Sequence, residues 1–341
     1  VSANEDDAGP VTTFFTAYAF EDVNPVLLGM NSDTWVPTEQ VNLARGVLGR
    51  YALDPEQVVL VVTGDIVESA RARFSGEVDR EAFDDERGAG VLGGKTMRVG
   101  AQTHVLIPYW FYTDDDAVRD LMEADQADDW IAGSGSRRRL AIRTVVHEAQ
   151  HVIMKQAGED EGDFSDAPRA RASFLVLAHD VIDEYRAELG VAGELREPFE
   201  FSVAPETLPA WRAGLRAVVA DYDRHRNVER LMYGVLQQSQ HAWKALANVA
   251  AARRISKLTA RPDDGVADWM ALADRYWERF EQELAKVPSP ATRTSPTEMR
   301  ENAEQLADVL DLWLRGLGFT WRDTHGGSDA EFLITSRHVL D

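Results

Sequence analysis

The chain has 341 residues, 44% hydrophobic and 28% charged, which is an ordinary globular composition with ample length for a core, in two domains or one elaborated domain. Its net charge of −22 argues against nucleic acid as a partner, because phosphate contacts need clustered Lys and Arg, and against adhesion to anionic membranes. Cysteine is absent, so disulfides, thiol nucleophiles and Cys-ligated zinc are excluded, and any transition metal must be held by histidines and carboxylates.

No run is long enough to span a bilayer. The opening VSANEDDAGP lacks the apolar core of a signal peptide yet suits the polar start of a mature secreted chain, so the compartment stays open. Residues 11–50 carry the apolar stretches FFTAYAF and VNPVLLGM. TEQVNLARGVLGRYAL then predicts a helix starting near Pro37 and Thr38. The clearest strand is QVVLVVT at 57–63, β-branched, continuous and ended by Gly64. Residues 65–74 read as a helix or short amphipathic stretch.

Residues 77–95 form a charged, glycine-rich connector. Its end, AGVLGGKT at 89–96, fits a relaxed phosphate-loop pattern closing on Gly94, Lys95 and Thr96. That loop needs a buried strand before it and a helix after it. Here charged residues precede and the strand-like MRVGAQTHVLIPYWFY follows, which predicts a turn into a strand instead. Within that stretch HVLIPYWFY, 104–112, is a strong strand. An acidic helix-like segment follows at 114–129, then a flexible turn at 133–136 leading into RRR.

The next two segments carry the chemistry. RRRLAIRTVVHEAQHVIMKQAG contains H-E-x-x-H as His147, Glu148 and His151. Residues four apart share a helix face, so both imidazoles can reach one metal ion, with Glu148 beside them to polarise a metal-bound water. Leu140, Val145, Val146, Val152, Ile153 and Met154 supply apolar faces, Ser134 and Ser136 offer N-caps, and Gly158 is a plausible stop. A zinc site needs a third protein ligand. The compact solution is absent, since Met154 and Ala157 stand where a Gly and a His would be. After an acidic loop at 158–168, RARASFLVLAHDVIDEYRAELG places Glu184 and Glu188 on one face with Leu177 and Val181. Carboxylates on an apolar stripe are costly to bury unless paired or metal-bound. The loop acids Asp160, Glu161, Asp163 and Asp166 lack the ordered spacing of a calcium loop and read as a solvated segment.

His-Glu-x-x-His followed by a helical Glu-x-x-x-Glu resembles the gluzincin metallopeptidases, and DEYRAE is similar to the third-ligand helix of the ImmA/IrrE-type metallopeptidases. The resemblance covers about 105–190. It implies zinc held by His147, His151 and Glu184, Glu148 as general base, and Glu188 as the carboxylate orienting a ligand histidine. It also implies that 104–112 is an edge strand binding extended peptide by strand addition, against the alternative of a core strand. The sequence departs from the family where Glu188 stands for the usual Asp and where no Asn precedes Glu184. Asp180, Asp183 and His179, all within a helical turn, stay open as third ligands.

Beyond Gly190, residues 191–209 read as a proline-containing connector and 211–287 as helical. PSPATRTSP is a linker or long turn, and Thr297 opens a further helix whose capping box is missed because Arg300 stands at the third position. FTWR and EFLITS close the chain as two short strands. Trp211, Trp243, Trp269, Trp277 and Trp313 fall at helix-face spacings that predict core packing. Tyr185, Tyr222, Tyr233, His225, His241 and His325 are candidates for stabilising an oxyanion, and the sequence does not choose among them.

Together these readings predict an α+β fold: a metallopeptidase-like core at 1–190 with a small sheet and two motif helices, then a mainly helical region at 191–341 closing the cleft. The expected function is a zinc-dependent hydrolase cleaving peptide bonds of a peptide or protein substrate. Alternatives are a regulatory or binding protein on that scaffold and a non-peptidase metalloenzyme. A di-iron bundle would need a second E-x-x-H, which the sequence lacks.

Overall fold

The computed structural model describes residues 15–30, 36–76, 93–121, 123, 130–159, 162–262 and 267–340, so the expectations for 1–10, for 77–92 and for most of 122–129 lie outside the described residues. The fold is mixed α+β with a small sheet. Its described residues divide into two compact units that meet in sequence at Gln156 and Ala157.

In the first unit the chain runs β1 (Ala17–Glu21), α1 (Glu39–Tyr51), β2 (Val58–Thr63), α2 (Ile66–Arg71), β3 (Lys95–Val99), β4 (Gln102–Pro108), α3 (Asp115–Leu121) and α4 (Ser134–Ala157). The strand order is β1-β2-β4-β3. β1, β2 and β4 are parallel, and β3 is antiparallel to β4. β2 is buried along its whole length, as its continuous run rich in β-branched residues requires of a strand covered on both faces. Its alternate residues serve different cores. Val58, Leu60 and Val62 join Val41 and Leu48 of α1 and Val145, Ala149 and Val152 of α4, while Val59 and Val61 meet Ala70 of α2. α1 starts where the sequence places it, with the Thr38 side chain accepting from Val41 N.

Two expectations change here. The strand predicted over 104–112 ends at Pro108, and Tyr109–Tyr112 is a 3-10 turn. β4 is paired on both sides, so of the two readings it is the core strand and not the edge that the resemblance implies. The antiparallel edge belongs to β3. Gly100, at φ +61°, makes the tight turn between β3 and β4, a conformation that suits glycine. The GKT of the relaxed phosphate-loop pattern runs directly into β3, so no helix N-terminus follows it.

The second unit is helical with one hairpin: α5 (Arg169–Leu189), α6 (Thr207–His225), α7 (Val228–Ile255), α8 (Asp274–Lys286), α9 (Pro296–Gly316), then antiparallel β5 (Phe319–Thr324) and β6 (Asp329–Ile334). The tryptophans pack as their spacing predicts. Trp211 of α6, Trp243 of α7 and Trp313 of α9 meet edge to face or tilted with ring centroids 5.9–6.3 Å apart, and Tyr276 stacks on Trp313 at 5.3 Å. The helical pattern from 211 breaks between α6 and α7, where Arg226 adopts φ +56° and the Asn227 side chain caps Arg230 N. α9 begins before Thr297. Ser295 is its N-cap, Pro296 its first residue, and Ser295 and Glu298 form the capping box that a start at Thr297 would miss.

Candidate metal centre

Helix α4 is long because its polar and apolar positions agree with one orientation. Ala141, Val145, Ala149 and Val152 recur at helical spacing in the core of the first unit. Gly158, at φ +71°, follows its last residue as the expected stop. His147 and His151 lie one turn apart, 8% and 9% exposed. Their Nε2 atoms are 3.3 Å apart, with ring planes at 71°. In a tetrahedron with bonds of about 2.05 Å, two ligand nitrogens are separated by about 3.3 Å. The spacing is one that two imidazoles sharing an ion could adopt. Without metal it also lets one ring donate a hydrogen bond to the other.

Glu184 lies on α5. One ligand atom from each of His147, His151 and Glu184 lies within 4.8 Å of the others, so the three form a group that could bind a metal ion. The open alternatives are not members of that group. The His179 ring lies edge-on to Phe164, and Asp180 accepts from Gln240 Nε2.

Several contacts fix α5. Phe174, Ala178, Val181, Ile182 and Tyr185 are buried in the core of the second unit. Pro168 supplies no side-chain cap, and Asp323 of β5 takes that role from 153 positions away, accepting from Ala170 N at 2.7 Å and from Arg171 N at 3.1 Å. Arg186, fully buried, lies 2.7 Å from the Glu159 carboxylate and donates to the carbonyls of Pro288 and Thr292.

Glu188 is buried and ion-paired. Arg196 Nη1 donates to its Oε1 at 2.6 Å, and Arg196 also bonds the Val191 carbonyl. Sequence reasoning assigned Glu188 an orienting role and did not anticipate this partner, because nothing local marks Arg196. Of the oxyanion candidates, Tyr185 accepts from Arg254 at 3.1 Å, and burial holds its phenol pKa up. His225 is exposed beside Asp221, and Tyr233 is exposed. In the acidic loop, Asp160 and Glu161 lie outside the described residues. Asp163 caps Ser165 N, and Asp166 pairs with Arg300 through both oxygens at 2.9 Å.

Glu148 is 5% exposed. Its carboxylate Oε2 accepts from Thr96 Oγ1 of β3 at 2.7 Å. No residue of β3 was singled out for this from the sequence, where Thr96 carries no motif beyond the phosphate-loop pattern.

The fold and the site thus define a mixed α+β protein with a His–His–Glu group suited to one metal ion. No family model matches the chain, and no curated protein or solved structure matches it. Among the described residues no helix is long and apolar enough to cross a membrane.

Proposed function

We propose that the chain is a zinc-dependent hydrolase of the gluzincin kind that cleaves peptide bonds, with His147, His151 and Glu184 holding the metal on a metallopeptidase-like core. The observation that carries this is the gathering of their three ligand atoms within 4.8 Å beside a Glu in the H-E-x-x-H register. The donor set fits the metal: two imidazoles and one carboxylate suit zinc, whereas calcium and magnesium favour oxygen-only shells.

Zinc in such a site supplies a Lewis acid and lowers the pKa of a bound water towards neutrality. The chain does the rest. Glu148 takes a proton from the attacking water and returns it to the leaving amine. Ala149 and Val152 hold one face of α4 in the core of the first unit. Strand addition of an extended peptide falls to β3, the antiparallel edge, rather than to β4.

Glu148→Gln should retain bound zinc and lose hydrolysis of a pooled fluorescence-quenched peptide library by about 100-fold or more. Unchanged cleavage would overturn the role of Glu148. Zinc binding by the wild-type chain with no cleavage would favour a binding or sensing role on the same scaffold.

A further inference from the structure

We infer that Gly94, just before β3, and Thr96, on it, the two ends of the GKT sequence, form a clamp that positions the Glu148 carboxylate. The role in catalysis rests on the hydrolase reading above, but the contact itself does not.

Three observations converge. Thr96 is 6% exposed, and its hydroxyl sits 2.7 Å from Glu148 Oε2 and 3.3 Å from the Glu148 carbonyl. Gly94 lies two residues earlier, and side chains two apart along an extended backbone point to the same side. A Cβ at Gly94 would stand 2.8 Å from Glu148 Oε1 and 2.9 Å from its Cγ. Real Cβ atoms do not approach that closely, so any side chain there would displace the carboxylate. The glycine leaves the space and the threonine fixes the rotamer: one oxygen of Glu148 is held by a hydroxyl and the other faces a backbone without a side chain. A carboxylate with three rotatable bonds otherwise loses much of its time to unproductive geometries, and holding it is the positional contribution a general base needs. This gives Gly94 and Thr96 a use that nucleotide binding does not. Thr96 is a positioning residue and touches no substrate in this account.

The test uses the full chain. Thr96→Val keeps the shape and deletes the hydroxyl, and Thr96→Ser restores it. With zinc bound, Thr96→Val should lower kcat on the peptide library about tenfold or more while KM and zinc stoichiometry stay unchanged, and Thr96→Ser should recover most of the loss. Gly94→Ala should lower kcat in the same way. Full activity in Thr96→Val, equal losses in the Val and Ser variants, or loss of zinc along with activity would overturn the clamp. A second readout needs no activity. In the metal-free chain, the melting-temperature drop caused by Thr96→Val should shrink by at least half in a Glu148→Ala background, because its partner is gone. An undiminished drop overturns the contact. If the wild type binds no zinc and cleaves nothing, the hydrolase reading fails while this cycle still decides the clamp.

Discussion

Glu21 shows how a single carboxylate ties a sheet edge to its neighbours. Arg73 donates to both of its oxygens and also, through Nε, to His104 Nδ1 at 3.0 Å, while Ser69 donates to Glu21 Oε2. The Arg73 hydrogen bonds hold the Glu21 pKa below its ordinary value, and burial holds that of His104 down. Both shifts have the same sign in a stability profile. Glu21 stabilises the fold above about pH 4.5, its unfolded value, and this is lost as pH falls through the lower folded value. His104 is favoured neutral, so the unfolded chain takes up its proton first and stability falls as pH drops below about 6.5. The melting temperature of Glu21→Gln should therefore lie below that of the wild type at neutral pH, and the gap should close as pH falls below 4.5. A gap constant across that range would contradict the ion-pair account. Glu188 follows different logic. Its guanidinium partner is buried with it, and the pair ties α5 to the segment that follows.

Among the elements, α5 has the most distant support. Asp323 reaches its first turn from β5, and no reading of 168–190 could have found it, since the capping residue is 153 positions on. Asp323→Ala leaves the Ala170 and Arg171 N–H groups without their acceptor and should cost about 1–2 kcal/mol in urea unfolding. A cost below about 0.3 kcal/mol would show the cap to be ornamental. Elements with a strong internal period were legible beforehand: β2 from its β-branched run, α4 from its apolar stripe, the closing hairpin, and the tryptophan positions. Features set by pairing or by turns were not. That β4 lies inside and β3 at the edge depends on which strands come together, information absent from the local pattern of either. The break at Arg226 and Asn227 hides within a polar run that suits helix and turn alike. The start of α9 was misplaced by two residues, because Thr297 imitates a cap while the Ser295–Glu298 pair forms it. At the site, the histidine pair was legible from its spacing. Glu184 was marked with Glu188 by the apolar stripe they share and was chosen as third ligand by the resemblance, while Thr96 carried only the phosphate-loop pattern and nothing that tied it to Glu148.

At the scale of the molecule, the two units draw on different sources of stability. The first is a sheet whose two faces are covered by the aliphatic sides of helices, and the second is a helical cluster centred on Trp211, Trp243 and Trp313 with Tyr276 and Phe280 against them. A chain with a net charge of −22 carries appreciable self-repulsion, part of which a dication held at the proposed site would relieve locally. The whole account depends on side chains from α4 and α5 meeting at one ion. The most direct test is elemental analysis of the purified chain after zinc loading and dialysis, run beside His147→Ala and Glu184→Ala. The account predicts one zinc per wild-type chain and none retained by His147→Ala, with Glu184→Ala losing most of its metal. A wild-type chain without metal, or a Glu184→Ala chain that keeps its full complement, would contradict it.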